Sequence, residues 1–465
     1  MPELPEVETV KNILKPLLVG HKIESVEILY PKMILKSNLD FLSIVNKTFI
    51  DVKRIGKYLL LYLSDDLVIL SHLRMEGKYI LLNDNETRSG HSRIIFHLDK
   101  NVNVSYDDSR CFGIMKLITT SELNSEEMLT KLGPEPMEFN DDLKLKLFNK
   151  LQHSSLPIKV SIMDQSNISG LGNIYADEVL FASKINPLTP SKLITLKQIN
   201  DIINNSIRVL NKAIELGGST VKSYHAARGV DGKFQNELLA YGKVGSLCPN
   251  CGYPFKKIRI GGRGTTFCPK CQKYPNDTIV FAIVGKIASG KSTALNYFKS
   301  LGYNTISADE IVKILYQKPE VILKIKRHFA SAVINNVIDT KVLRDIINNS
   351  PIKKKQLESI IHPLVENELN EFIHHSHTKF TFIEVPLLFE ANMDYLADKI
   401  IGISASTDVQ IAHLYKRGVT DVESYLRLND TNTFDKNIAK MDYIVTPSDD
   451  INEFENKLKG IIESQ

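Results

Sequence analysis

The sequence predicts a multidomain chain: a β-sandwich or barrel first, a helical domain with a small cysteine-bound hairpin next, and an α/β domain with a parallel sheet last. Three observations predict it. Short β-prone runs separated by polar punctuation fill residues 22–120. Cys248, Cys251, Cys268 and Cys271 stand in a C-x2-C-x16-C-x2-C spacing. From residue 278 an apolar run, TIVFAIVG, leads directly into a glycine-rich turn and a helix. At 465 residues the chain is too long for one core.

Taken in order, residues 3–18 read as an amphipathic helix, with Val7, Val10, Leu14, Leu17 and Leu18 at helical spacing. KIESVEIL, KYLLLYL, LVILSHL, RIIFHL and NVNVSY are the strand candidates. From 140 to 216 the pattern turns helical and stops at Gly217-Gly218. Residues 244–273 carry two cysteine knuckles with short β-prone runs between them, which predicts a metal-bound hairpin. Tyr274-Pro275-Asn276-Asp277 marks a boundary, after which FTFIEVPLLF, KIIGISAS and YIVTP alternate with helices, as in a doubly wound α/β domain. The expected domains are 1–135, 136–240, 241–273 and 278–465.

Apolar residues make up 43% of the chain, enough for real cores, yet no apolar run reaches the roughly 18 residues of a membrane helix. MPELPEVETV lacks the basic-then-apolar pattern of a signal peptide, so a soluble cytoplasmic protein is expected. The chain is also expected to be a monomer. Residues 1–277 carry 36 Lys and Arg against 30 Asp and Glu, whereas 278–465 carry 22 against 24. The stretch 217–277 alone has 10 basic and 3 acidic residues, which suits a polyanion such as DNA as well as an ordinary solvated face. The four cysteines suit one tetrahedral zinc, two thiolates from each knuckle. Disulfides are the alternative, and a cytosolic chain disfavours them.

The Met-Pro start has chemical consequences. Methionine before a small residue is normally removed, which exposes Pro2 as a secondary amine. An α-amino group has a pKa of roughly 7.7–8.0 against about 10.4 for lysine, so it is far more often uncharged and nucleophilic at neutral pH. Such an amine can attack a sugar C1′, expel a base and leave an iminium that permits strand cleavage. Glu3 and Glu6 stand beside it as proton donors or shuttles, although glutamates in a first helical turn are also ordinary dipole partners.

MPELPEVETV, RIGKYLLL, LSHLRMEGKY, DDSRCFG, DQSNISGLGNIYADEVLF and GGRGTTFCPKCQK together resemble the formamidopyrimidine-DNA glycosylase family over about residues 1–273. The PELPEVE opening resembles the purine-lesion branch rather than the related endonuclease VIII glycosylases. The resemblance implies a β-sandwich, a helix-two-turn-helix domain and a zinc finger. It also implies a glycosylase and AP lyase acting on 8-oxoguanine and formamidopyrimidines in double-stranded DNA. It makes Pro2, Glu3, Lys57 and Arg263 catalytic. Met75, Arg110 and Phe112 would fill the stack that a flipped nucleotide leaves. Lys57, Asn173 and Arg263 match the family's phosphate and lesion contacts, and Glu6, Lys159, Tyr175 and Lys222 complete the expected DNA-binding set. Residues 217–224 with Gly232, Phe234 and Gln235 resemble the loop that covers the flipped base. Cys111 departs from the family, which usually has a basic residue there.

In the second half, Gly285-Lys286-Ile287-Ala288-Ser289-Gly290-Lys291-Ser292, followed by Thr293, matches G-x4-G-K-[ST] after an apolar strand. Backbone N–H groups of such a loop wrap phosphates, Lys291 reaches the β/γ-phosphates and Ser292 holds Mg²⁺ with ATP. SADEIVKIL, LESIIHPLV and VPLLFE resemble dephospho-coenzyme A kinase over residues 278 to about 460. The resemblance makes Asp309 the base at the acceptor 3′-hydroxyl. It assigns His362, Glu384 and Arg427 to the acceptor dephospho-CoA, and Arg417, with Gln410, to the lid over ATP. Ser307, Glu384, His413, Thr431 and Thr446 depart from the family pattern. Three readings follow: a bifunctional enzyme, a DNA-binding protein regulated by a nucleotide-binding half, or a glycosylase with an inert or differently specific P-loop tail.

Overall fold

The computed structural model describes residues 2–82, 88–219, 233–276, 278–427, 433–448 and 450–464, the side chains of 424, 425 and 427 excepted. By its contacts the chain divides into two compact units, Met1–Pro275 and Asn276–Gln465.

In the first unit, helix α1 (Leu4–Leu18) precedes β1 (Ile23–Ile28), β2 (Phe49–Ile55), β3 (Tyr58–Leu63), β4 (Leu67–His72), β5 (Lys78–Leu82), β6 (Ser92–Leu98), β7 (Val102–Asp107) and β8 (Ile114–Thr119). They pair as two antiparallel four-stranded sheets, in the orders β1-β6-β7-β5 and β2-β3-β4-β8, so the β-rich region is a sandwich. Period-2 alternation sends Leu59 and Leu61 of β3 into one core with Val7, Val10, Leu14 and Leu18 of α1 and Phe96 of β6. Leu60 of the same strand packs on the other face with Val68, Leu70 and Met128, which is why β4 is buried at every position. The first residue of α1 behaves differently. Leu4 packs into the neighbouring helical core, its N–H donates to Gly170 O at 3.1 Å, and Gly170 leaves no room for a Cβ beside it. The N-terminus is thereby fixed against the helical domain.

Helix α2 (Glu127–Thr130) packs on the sandwich through Met128 and Leu129, and the helical domain contains α3 (Asp141–Leu151), α4 (Ile158–Met163), α5 (Asn173–Ala182) and α6 (Leu196–Glu215). Helix α6 starts on a Thr195–Gln198 capping box and ends where Gly217 and Gly218 turn left-handed, Gly218 N–H donating to Ala213 O at 2.7 Å. The hairpin β9 (Lys256–Ile260) and β10 (Arg263–Phe267) follows, closed by Gly261-Gly262 with both φ positive, the two-residue turn whose twist matches the strands.

The second unit has a parallel sheet ordered β12-β15-β11-β16-β17, formed by β11 (Ile279–Gly285), β12 (Asn304–Ser307), β15 (Phe380–Glu384), β16 (Lys399–Ile403) and β17 (Tyr443–Val445). A small hairpin, β13 (Val333–Ile334) with β14 (Val337–Ile338), lies outside that sheet. The helices are α7 (Lys291–Ser300), α8 (Ala308–Leu315), α9 (Pro319–His328), α10 (Thr340–Asn348), α11 (Pro351–His374), α12 (Thr407–Lys416), α13 (Val422–Arg427) and α14 (Ile451–Glu463). Strand β11 divides its side chains between two cores. Val280, Ala282 and Val284 join the layer with α8, α9 and α11, and Phe281 and Ile283 join the layer with α7 and α14. A near-continuous apolar strand is what burial on both faces demands. Among the described residues, no helix is long and apolar enough to cross a membrane.

Candidate functional site

Helix α5 organises the first site. Its N-terminal amides face the Glu3 carboxylate, which accepts from Gly172 N at 2.7 Å, Ile174 N at 2.9 Å and Tyr175 N at 3.4 Å. A carboxylate on the positive end of a helix is favourable. Burial nevertheless pushes Glu3 above the usual carboxylate range, the nearby Glu6 adding to it while Lys57 and the amides pull it down. Gly172 makes the seat possible, because a Cβ there would lie 2.4 Å from Glu3 Cδ. Glu6 is buried as well, accepting from Glu3 N at 2.8 Å, Tyr175 Oη at 2.6 Å and Ser219 N at 2.7 Å.

Glu3 lines a cleft of about 720 Å³ with Lys57, His72, Arg74, Met75, Asn173, Tyr241 and Arg263. Lys57 is buried, donates to Leu171 O at 2.6 Å, and has its ammonium pKa lowered by that burial. Its turn is fixed by Arg54, which grips both oxygens of Glu135 at 2.6 and 2.8 Å and Glu8 at 2.7 Å, while Gly56 N donates to Glu135 at 2.8 Å. Beyond the cleft lining, Arg110 lies 4.9 Å over the ring of Phe112, which is 52% exposed. Asp108 presents that loop by accepting from Arg110 N, Phe112 N and Gly113 N at 3.0, 2.9 and 2.7 Å. Gly77 and Gly113 both approach Tyr106 so closely that a Cβ on either would fall about 2 Å from its hydroxyl, so the loops bearing Met75 and Phe112 meet over one side chain.

Helix α5 also holds the hairpin. Asp177 is ion-paired with Lys159 at 2.7 Å and accepts from Thr266 N at 2.9 Å, and burial pushes its carboxyl up to about 6. Glu178 accepts from Leu239, Ala240 and Tyr241 N–H at 3.0, 2.9 and 2.8 Å. The four Sγ atoms of Cys248, Cys251, Cys268 and Cys271 lie within 4.8 Å of one another, with 3.8 Å between Cys248 and Cys271 and 3.5 Å between Cys251 and Cys268. Four thiolates at about 2.3 Å from a tetrahedral zinc stand about 3.8 Å apart, so this set fits that ion.

The second site surrounds the turn between β11 and α7. Gly290 sits at φ 101° and Ala288 at φ 58°, and a Cβ on Gly285 would meet Ile403 O at 2.6 Å. Lys291 is buried, donates to Lys286 O at 2.8 Å, and has its pKa lowered by burial against the pull of Glu384 and Asp309. Ser292 Oγ donates to Glu384 Oε1 at 3.3 Å, and burial raises the Glu384 carboxyl. Asp309 and His362 line a separate, mainly apolar cavity of about 230 Å³ with Val312, Tyr316, Leu357 and Met393. Helix α12 reaches the turn through His413, whose Nδ1 lies 2.8 Å from Ala288 O.

Family models match in the order that these features suggest: the formamidopyrimidine-DNA glycosylase N-terminal domain over residues 1–115, its H2TH domain over 132–225, a zinc finger found in FPG and IleRS over 245–273, and dephospho-CoA kinase over 279–453. Formamidopyrimidine-DNA glycosylase of Streptococcus mutans is 46% identical over 275 residues, covering 59% of this chain and 100% of the relative. The chain belongs to the formamidopyrimidine-DNA glycosylase family. The Lactobacillus helveticus enzyme of that name is 44% identical, covering 58% of this chain and 99% of its own length. Among solved structures, Lactococcus lactis Fpg with DNA containing an abasic site is 40% identical, covers 58% of this chain and 99% of its own, and has a TM-score of 0.54. A MutM bound to DNA containing carbocyclic 8-oxo-G is likewise 40% identical, covering 58% and 100%, with a TM-score of 0.54. The family portion is followed by a dephospho-CoA kinase domain.

Within this glycosylase fold, Glu3, Lys57, Met75, Asn173 and Arg263 share the cleft. Pro2 is buried next to Glu3 in the chain. Three residues expected to contact DNA have partners within the protein in this structure. Lys159 is 1% exposed and committed to Asp177 and Thr265, Tyr175 is fully buried against Glu6, and Glu6 is 3% exposed. None of the three lines the cleft, and their bonds join α5 to the hairpin and to the N-terminus. Glu384, expected on the acceptor side, faces Ser292 and Lys291 instead and does not line the cavity that holds Asp309 and His362. Among the nucleotide contacts expected from sequence, Lys286 is paired with Asp435 at 2.6 Å and Arg417 bears on Lys291 through its charge. Gly285 to Thr293 form the turn and the start of α7. Lys222, residues 220–224, Gly232, Thr431 and the Arg427 side chain lie outside the described residues. Sequence reasoning missed His72, Tyr241, Asp177 and Glu178. The signal for the last two was a pair of consecutive acids inside the apolar helix NIYADEVLFA.

Proposed function

We propose that the first unit excises oxidised purines from double-stranded DNA and then cleaves the strand, with Pro2 as nucleophile. The observation that carries this is Glu3 seated on the N-terminus of α5, in one cleft with Lys57, Asn173 and Arg263. Attack by the Pro2 nitrogen forms the N–C1′ bond as the C1′–base bond breaks, and the base leaves with a proton. Opening the sugar to the iminium requires a proton on the ring oxygen, and Glu3, held toward its acid form by burial, is the donor. Loss of a C2′ proton then expels the 3′-phosphate. Lys57 and Arg263 bind backbone phosphates, and Met75, Arg110 and Phe112 occupy the vacated stack. Cys248, Cys251, Cys268 and Cys271 hold a structural zinc that keeps the hairpin bearing Arg263 in shape.

For the second unit the reading is ATP-dependent phosphorylation of the 3′-hydroxyl of dephospho-CoA. The support is the phosphate-binding turn, Asp309 and His362 in one cavity, and the family match. Asp309 takes the hydroxyl proton as the γ-phosphoryl moves, and Lys291 with Arg417 neutralises charge on the phosphates. Ser292 and Glu384 are hard oxygen donors suited to Mg²⁺, which would supply charge neutralisation on the phosphates when bound with ATP. The glycosylase reading is tested by borohydride trapping on a duplex carrying 8-oxoguanine. A covalent adduct mapped to the peptide containing Pro2 supports it, and an adduct on a lysine overturns the nucleophile assignment.

A further inference from the structure

The turn between β4 and β5 holds Arg74 at φ 55°, in the left-handed region that carries a steric cost for any residue with a Cβ. Packing does not repay that cost, because Arg74 is exposed. Among the described residues no ion pair or hydrogen bond holds its guanidinium. The side chain instead lines the cleft with Lys57, Met75, Asn173 and Arg263. Its backbone N–H donates to His72 Nδ1 at 2.9 Å, which leaves the proton of a neutral imidazole on Nε2. Burial, then the charges of Arg74 and Lys57, hold His72 neutral, its pKa pushed down to about 3. The cation on this wall is therefore Arg74, and His72 is a neutral donor beneath it. A conformation that favours glycine, occupied by an exposed and unpaired arginine on a cleft already lined by Lys57 and Arg263, points to a ligand for the guanidinium.

We propose that Arg74 is a DNA-phosphate contact, a cation held on the cleft wall beside Met75 that grips the backbone of the strand entering the cleft. This rests on the glycosylase reading, since it needs the cleft to receive DNA. Phosphate is the chemistry named because a guanidinium among other cations meets a polyanion with matched geometry.

The test is an anisotropy titration of the full-length chain with a duplex carrying a tetrahydrofuran abasic analogue, at several KCl concentrations. Arg74→Gly and Arg74→Ala are each expected to weaken binding about tenfold and to make the log–log salt slope shallower by about 0.9, the loss of one phosphate contact. Arg74→Lys should keep the slope. Arg74→Gly should melt no lower than the wild type, because glycine takes the positive φ freely. An unchanged slope in Arg74→Gly would overturn the proposal. So would wild-type binding by Arg74→Gly with weak binding by Arg74→Ala, which would leave Arg74 a turn residue only. A wild-type chain that failed to bind this duplex would defeat the glycosylase reading itself, an outcome visible before any variant is compared.

Discussion

Gly172→Ala should disable base excision while leaving the fold in place. The added Cβ would lie 2.4 Å from Glu3 Cδ, 2.6 Å from its Oε1 and 2.8 Å from its Cγ, all below any real carbon contact. The backbone at Gly172, φ −137° and ψ −152°, lies in the extended region, so the conflict is with the carboxylate rather than with backbone strain. Ordinary contact begins near 3.4 Å, so Glu3 must retreat by about 1 Å, and the bonds at 2.7 and 2.9 Å from Gly172 N and Ile174 N are lost. With Glu3 held toward its acid form, losing two such hydrogen bonds costs roughly 0.5–1.5 kcal/mol each, for a net destabilisation of about 1–3 kcal/mol. A misplacement of about 1 Å at a general acid costs roughly 10²-fold or more in rate, about 3 kcal/mol of barrier. Single-turnover excision of 8-oxoguanine reads the rate, and zinc content with the thermal melt of the chain reads the fold. Glu3→Asp added to Gly172→Ala should recover part of the loss, because the shorter side chain steps back from the new methyl. Wild-type excision by Gly172→Ala would refute the role given to the Glu3 seat.

Cys268→Ser should lose stoichiometric zinc by elemental analysis and weaken DNA binding without affecting the second unit, since Arg263 lies on the hairpin that the four thiolates close. Lys291→Ala should abolish phosphoryl transfer, and Asp309→Asn should lower kcat far more than it raises the KM for ATP. A full-rate Asp309→Asn enzyme would remove the carboxylate from the mechanism. His72 gives a pH dependence of stability. Its pKa falls from an unfolded value of 6.5 to about 3 on folding, so the unfolded state binds the extra proton between those values. Its contribution is complete above about pH 6.5 and is lost as pH falls toward 3, reaching about 2 kcal/mol by about pH 5. His72→Asn should remove that part of the acid sensitivity in thermal melts of the first unit.

The parts legible in the sequence were those whose chemistry is local. The cysteine spacing, the Gly285–Ser292 turn and the α6 stop at Gly217-Gly218 each read correctly, because the responsible residues are near neighbours in the chain. Strands β3, β4, β6 and β7 were visible as alternating or continuous apolar runs. Strand β2 was not, because FIDVKRI carries three charges at positions that face outward or pair with α1. Edge strand β12 was missed because NTIS is short and only Ser307 is fully buried. Two of the expected site residues have distant partners that no local pattern shows. Lys159 is ion-paired with Asp177 on the next helix. Glu384 is set beside Ser292 by the parallel pairing of β15 with β11. The seat of Glu3 needs Gly172 and Ile174, some 170 residues away, and no local pattern announces it.

One chain is read as carrying two complete chemistries, and the kinase half rests on a family match and on the geometry of its turn and cavity. Steady-state phosphorylation of dephospho-CoA by the full-length protein, with ATP and Mg²⁺, tests it most directly. The predicted result is ADP formation that depends on dephospho-CoA, with the new phosphate on the 3′-hydroxyl by mass spectrometry and no turnover in Lys291→Ala. ATP binding without acceptor-dependent turnover, in a chain that still excises 8-oxoguanine, would contradict it and leave the second unit a nucleotide-binding appendage.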